Sequence, residues 1–252
     1  MTKMKKDKDA ETKEVATSSP ALTPAERSNL FDTRDNLEGV KPKLPQIGIV
    51  HQAQLYSMPD GDNDKVKEFE GIIIDMNPAN AWWEEPYAKS GGGSPPQCFS
   101  LDGITPSPMG DKIQGNSCSE KGDCPQARWG SKIDDKGNPA RGKACKNMKR
   151  VHIIMEGKLF PYRLTIPPSG LDAIDTYVCT VVNTGTVYQL VRTHFSLKET
   201  KNKDGITYSE PVLKIIDNIT DREQAFKLRG FLDQWKDIMR GEMITADEAR
   251  DE

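Results

Sequence analysis

Gly115-Asn116-Ser117-Cys118-Ser119-Glu120-Lys121-Gly122-Asp123-Cys124-Pro125 lies at the centre of a stretch, Cys98 to Cys145, that holds four of the chain's five cysteines. Arg128-Trp129-Gly130-Ser131 and Arg141-Gly142-Lys143-Ala144-Cys145-Lys146 follow, with almost no aliphatic residue that could build a core. A segment without a core needs another source of order. A thiolate-bound zinc ion supplies it, because its binding free energy becomes folding free energy. The spacings, C-x19-C, C-x5-C and C-x20-C, contain no two-residue knuckle. The same cysteines also admit two disulfides in an oxidising compartment, or unrelated free thiols. The expectation is one structural zinc on Cys98, Cys118, Cys124 and Cys145. Cys179, in Asp175-Thr176-Tyr177-Val178-Cys179-Thr180-Val181, reads as a small buried hydrophobe of a helix.

Working outward, Ser90-Gly91-Gly92-Gly93-Ser94-Pro95-Pro96 leads into the cysteine stretch as a flexible connection. Before it, Phe69–Met76 alternates as a strand that Asn77-Pro78 should end, and Trp82-Trp83 follows. Adjacent tryptophans in a strand point to opposite faces, so one of them is a candidate stacking platform. Residues 37–57 allow only a short strand among prolines. Residues 1–36 mix charged and small polar residues without periodicity and read as a disordered arm.

After Cys145 regular structure resumes. Val151–Met155, Glu156-Gly157 and Leu159–Ile166 read as a hairpin. Ser169 and Asp172 suggest a capped helix with Leu171, Ile174, Val178 and Val181 on one face. A strand then places Val187, Val191, Phe195 and Leu197 on its core side, with Tyr188, Arg192, His194 and Lys198 opposite. Asp204-Gly205 turns it into a partner strand. A helix over 220–240 with Leu228, Phe231, Leu232, Trp235, Ile238 and Met239 on one face completes the fold. The class is mainly β with α elements: an OB-fold-like five-stranded barrel over 37–219, a zinc-binding insertion at about 94–150, the C-terminal helix and an acidic tail over 241–252.

Composition narrows the function. The chain has 252 residues, 35% of them apolar and 29% charged, and no run long enough to span a membrane. The first residues contain no apolar signal region, so a cytoplasmic protein with reduced thiols is expected. Net charge is only −3, yet residues 121–150 carry nine Lys or Arg against three Asp, and 241–252 carry five acids. No phosphate loop, nucleophile elbow or zinc-protease helix is present, and His51, His152 and His194 are scattered, so no enzyme is expected.

The cysteines, strand order and Thr245-Ala246-Asp247-Glu248-Ala249-Arg250-Asp251-Glu252 terminus together resemble the phage and mobile-element single-stranded-DNA-binding proteins that carry a zinc subdomain inserted in an OB-fold and an acidic tail. The resemblance implies coating of single strands in DNA replication, recombination or repair, with tail partners among those proteins. OB-folds combine a cationic groove with aromatic stacking. The candidate platforms are Trp82, Trp83, Trp129, Tyr162 and Tyr188. Phosphate contacts are expected from Arg128, Arg141, Lys143, Lys146, Lys149, Arg150, Arg192 and Lys198. Asp247, Glu248, Asp251 and Glu252 are expected to lie outside the fold, competing with nucleic acid for the basic surface. A zinc-stabilised interaction adaptor without nucleic acid is the rival reading.

Overall fold

A computed structural model describes residues 23, 38–40, 42–60, 64–84, 94–108, 117–118, 124–134, 137–201, 205 and 207–249. The expected N-terminal arm lies outside these residues, Thr23 apart, as do Gly91–Gly93 of the glycine connection and Asp251 and Glu252 of the tail. The chain divides after Pro42, and the fold is that of Lys43–Glu252.

Long strands dominate, and one of them organises the rest. Strand β4 (Glu68–Trp82, 15 residues) follows the short strands β1 (Gln46–Val50), β2 (Leu55–Ser57) and β3 (Lys65–Val66). The cysteine segment contributes β5 (Cys98–Ser100) and β6 (Ser107–Pro108). Beyond it come β7 (Lys146–Ile154), β8 (Tyr162–Ile166), helix α1 (Leu171–Asn183), β9 (Val191–Lys201), β10 (Thr207–Asn218) and helix α2 (Arg222–Gly241). The strands form one sheet in the order β10-β9-β4-β7-β8-β1-β2-β3, with β5 and β6 attached to β4. All its pairs are antiparallel except β1 with β8.

β4 runs through Asn77-Pro78 rather than ending there. At Pro78 only β7 pairs with it, because β9 pairs over Glu68–Ile72 and β5 over Asn80–Trp82. Proline lacks an N–H but sits here where one flank carries no ladder, the position in which sheets tolerate it.

One face of the sheet gathers the main core: Ile47, Tyr56, Ile73, Val151, Ile153, Leu164, Ile166, Val191 and Phe195, covered by Ile174, Tyr177 and Val181 of α1. Phe69 stacks on Phe195 with centroids 4.6 Å apart. The amino-terminal strands tie the ends of the sheet together. Tyr56 donates its hydroxyl proton to the Ser196 carbonyl at 3.1 Å, and the Ser209 hydroxyl donates to the His51 carbonyl at 2.8 Å. Gly170, just past β8, allows close approach to β10, since a Cβ there would stand 2.9 Å from Pro211 Cδ.

Two helix expectations need correction. Gly170, not Ser169, occupies the N-cap of α1 and no side chain caps it, because a 3-10 turn over Pro168–Gly170 runs directly into the helix. Cys179 is exposed, not buried: the buried face of α1 is Ile174, Tyr177 and Val181, and Cys179 lies off it. Helix α2 starts as its sequence suggests, with Asp221 accepting from the Gln224 amide at 2.7 Å.

The opposite face of β4, β7 and β8 is buried under a second, polar layer. Over residues 150–153 β7 therefore has no solvent face: Val151 and Ile153 enter the main core while Arg150 and His152 are fully buried on the other side. Arg150 donates from Nη2 to Glu248 at 2.7 Å and from Nε to the other carboxylate oxygen at 2.9 Å. Arg163 reaches Glu242 at 2.7 Å and Glu248 at 3.5 Å. Arg240, at the end of α2, holds Asp75 bidentately at 2.7 and 2.8 Å. Glu248 thus contradicts the expectation of a detached tail, and Ile244 packs with Ala79, Ala81, Phe99 and Met148. Burial opposes charge on Glu248, but the Arg163 charge and the Arg150 hydrogen bonds outweigh it and hold the carboxyl below its usual range.

His152 sits among Asp75, Arg150, Arg163 and Glu248 with neither ring nitrogen hydrogen-bonded. Burial, helped by the two arginines and opposed by the carboxylates, lowers its pKa from 6.5 to about 4. The unfolded chain therefore takes up a proton near pH 6.5 that the native state resists. The stabilisation is complete above that pH and is lost as pH falls toward 4, about 3 kcal/mol in all. Denaturation of parent and His152→Gln side by side between pH 7 and 4.5 should show a steep decline in the parent and a shallower one in the variant. Parallel curves would exclude His152 as the source.

Candidate functional site: four thiols and a cationic finger

β4 leaves the sheet at Trp82 and β7 enters it at Lys146, directly across from Ala81. The segment between them thus starts and ends on neighbouring strands. All five cysteines are free thiols. Cys98, Cys118, Cys124 and Cys145 line a single small cavity of about 10 Å³, together with Asn80, Trp82, Phe99 and Gln126. Cys98 arrives on β5, paired with Trp82; Cys145 immediately precedes β7; Cys124 precedes a 3-10 turn over Pro125–Ala127. The loop bearing Cys118 is tied down by its amide, which donates to the Ile104 carbonyl at 2.8 Å.

The thiols feel one another. Burial first, then the charges of Cys118 and Cys124, push Cys98 up to about 11. Burial and the other three cysteines push Cys145 up to about 12, and Cys118 rises through burial and Cys124. As the side chains stand, no group of three or more His, Cys, Asp or Glu among the described residues is arranged to hold a metal ion. What the four share is the lining of one atom-sized space with three of them buried.

From this base a finger projects. Cys145 donates its amide proton to the Gln126 carbonyl at 2.9 Å, and the Ser131 hydroxyl accepts from the Ala144 amide at 2.9 Å, closing the root. Gly130 N–H to Gly142 C=O at 2.7 Å, Ala140 N–H to Lys132 C=O at 2.7 Å and the Ile133–Pro139 bridge carry the closure outward. Trp129 is 68% exposed and Ile133 60% exposed on this finger. Arg128, Lys132 and Arg141 on the same finger are all exposed, with Lys143 half-buried nearer the root.

The other candidate contacts divide. Trp83 is half-buried, its Nε1 donating to the Ser94 carbonyl at 3.2 Å and its ring lying 5.9 Å from the Lys146 ammonium. Trp82 and Tyr162 are buried, and Arg150 is wholly enclosed with Glu248, so these three cannot meet a nucleic acid in this fold. Trp82 is buried against Cys98 and Cys145, Tyr162 in the main core and Arg150 under the C-terminal segment, contacts between distant segments that the alternation alone could not reveal. The β9 face is less basic than it reads. Arg192 pairs with Asp217 at 2.5 Å, His194 with Glu68 at 3.2 Å and Lys198 with Glu210 at 3.1 Å, all across strands. Lys149 pairs with Asp175 of α1. Tyr188 is half-buried in a 3-10 turn before β9, in the field of Asp75 and Arg240.

Lys132 and Ile133 escaped the candidate set although they lie in the most basic stretch; only the pairing of residues 130–133 with 139–142 brings them beside Trp129. No protein-family model, curated protein or solved structure matches the chain. Among the described residues, no helix is long and apolar enough to cross a membrane.

Proposed function

We propose that this chain is a sequence-tolerant single-stranded-DNA-binding protein of replication, recombination or repair, whose binding module is rooted on one structural zinc ion held by Cys98, Cys118, Cys124 and Cys145. The observation that carries the reading is Trp129: a 68% exposed indole on a finger that also carries Arg128, Lys132 and Arg141. A solvated tryptophan beside cations is the arrangement on which unpaired bases stack while phosphates meet charge. Strands β4, β7, β8, β9 and β10, with α1 between the third and fourth, supply the parts of a five-stranded OB-like barrel, to which β1–β3 are additions. The finger then lies in the connection between the first two barrel strands. Thiolate chemistry suits the cavity, because a dication held by the four sulfurs would favour their deprotonated forms and offset the burial and mutual repulsion that raise their pKa values.

Tryptophan fluorescence tests the reading. Titration with an unstructured oligonucleotide should quench emission, whereas a duplex of equal length should not. Trp129→Ala should weaken single-strand binding by about 1–3 kcal/mol without altering its salt dependence. The triple variant Arg128→Ala, Lys132→Ala, Arg141→Ala should flatten the slope of log affinity against log salt by about 2, at roughly 0.7 per lost phosphate contact. The ion-paired β9 face favours the rival reading of a zinc-stabilised protein-interaction adaptor. Absence of any response to single strands or duplex would overturn the single-strand reading and favour that rival.

A further inference from the structure

Trp129 owes its place on the finger to a turn and to one hydroxyl. Arg128, Trp129, Gly130 and Ser131 form a four-residue turn in which the Ser131 amide donates to the Arg128 carbonyl at 3.2 Å. Gly130 has φ +87, the positive value that the third residue of a type II turn requires, and Trp129 fills the second place. The Gly130 amide, donating to the Gly142 carbonyl at 2.7 Å, joins the turn to the returning limb of the finger. These bonds shape the turn and pair it with a limb as exposed as itself. They do not tie it to the root.

The Ser131 side chain makes that connection. Its hydroxyl donates to the Arg128 carbonyl at 2.7 Å and to the Gln126 carbonyl at 2.9 Å, one proton shared between two acceptors, and it accepts the Ala144 amide proton at 2.9 Å. A hydroxyl has a proton to give and lone pairs to receive with, so one atom serves the turn, the 3-10 segment before it and the limb that returns to Cys145. Gln126 carries the connection inward. Its carbonyl also accepts from the Cys145 amide at 2.9 Å, and the residue lines the cavity of the four thiols. The chain of contacts from that cavity to the exposed indole thus passes through Gln126 and Ser131.

We infer that Ser131 is a positioning residue of the single-strand site: its hydroxyl locks the turn bearing Trp129 to the thiol-lined root, so that the indole stands in its stacking orientation before a base arrives. The assignment rests on the single-strand reading for its ligand, but part of its test needs no nucleic acid. A ring that must be ordered on binding loses affinity to the entropy of ordering, and a ring held in advance does not. Alanine at position 131 removes donor and acceptor together and leaves Trp129 and every cation of the finger in the chain. The phosphate share of the affinity should therefore stay as it is.

Full-length protein carrying 5-fluorotryptophan gives a fluorine resonance for each of Trp82, Trp83, Trp129 and Trp235, the four tryptophans of the chain, and Trp129→Phe identifies the finger's line. Without nucleic acid, Ser131→Ala should shift or broaden that line alone, and Ser131→Thr, which keeps the hydroxyl, should restore it. Anisotropy of fluorescein-labelled oligo-dT should then report about ten-fold weaker binding by Ser131→Ala, the equivalent of one net hydrogen bond, with an unchanged salt slope and recovery in Ser131→Thr. In a Trp129→Ala background the same substitution should cost nothing further, because residues that act through one contact are not additive. Equal losses with and without Trp129 overturn the assignment, as does an unmoved Trp129 line in Ser131→Ala. Movement of all four lines overturns it too, since Ser131 would then support the whole fold and not the platform. A Trp129 line that answers to Ser131→Ala and recovers in Ser131→Thr, in a protein that binds no oligo-dT, upholds the hydroxyl's hold on the indole and removes the single-strand reading instead.

Discussion

Truncation after Met243, or the single change Glu248→Ala, is expected to destabilise the protein by about 3–5 kcal/mol, the scale for removing one partner from a buried ion pair. The terminal segment looks dispensable by sequence because it is short and acidic. In the structure Glu248 is 2% exposed and is bonded to Arg150, at 0% exposure, while Thr165 donates its hydroxyl proton to the same carboxylate at 2.7 Å. Removing it leaves the Arg150 and Arg163 guanidinium groups facing each other in the interior. Truncation also uncovers the cluster around Ile244, worth a further ~2 kcal/mol. Urea denaturation gives the test: the midpoint should fall sharply for Glu248→Ala and partly recover when Arg150 and Arg163 are also replaced by Met and Leu, since an apolar cluster of similar volume serves as well as a buried ion cluster. An unshifted midpoint would show the segment to be detached. Truncation should accordingly lower single-strand affinity through loss of folded protein, the opposite of what a competing free tail would do.

The second large effect concerns the metal. Protein purified without added zinc should contain one zinc ion per chain, and Cys124→Ser should lose both the metal and the order of the finger, because residues 124–145 contribute little to any apolar cluster beyond Cys145 and Ala144. Cys179→Ser is the control: that thiol is exposed on α1, remote in sequence from the others, and its loss should leave metal content unchanged. A metal-free parent whose melting temperature ignores Cys124→Ser would end the zinc proposal. Thermal melts should separate the finger from the sheet, since the main core of Ile73, Val151, Leu164 and Phe195 includes no residue of the cysteine segment.

Much of the architecture was legible because local signals and packing agree. Val191, Thr193 and Phe195 are buried and Arg192 and Lys198 exposed on β9, as alternation requires, and Asp221 caps α2. The cysteines stood out for a physical reason: a stretch poor in aliphatic residues must draw order from somewhere, and the fold does bring their four side chains to one cavity. What could not be read were features made by distant segments. Charge alone does not distinguish the enclosed Arg150 from the exposed Arg141, because the difference is Glu248, 98 residues away. Proline chemistry suggested a strand end at Pro78, whereas the missing neighbour on one flank lets β4 continue. The basic side of β9 was correctly oriented, but its carboxylate partners come from β4 and β10.

The cysteine segment leaves and re-enters the sheet at facing residues, Ala81 and Lys146. To the rest of the protein it is a closed loop, and the entropy of closing a loop grows only logarithmically, by about 0.6 kcal/mol for each doubling of length. Residues can thus be gained or lost beyond the Ile133–Pro139 bridge almost without thermodynamic consequence for the strands beneath. Reach and surface chemistry can change there while the sheet stays still. The same property makes the stretch enclosed by the Ile133–Pro139 bridge the natural place to insert a peptide tag or dye-labelling sequence into a protein that must otherwise remain unchanged.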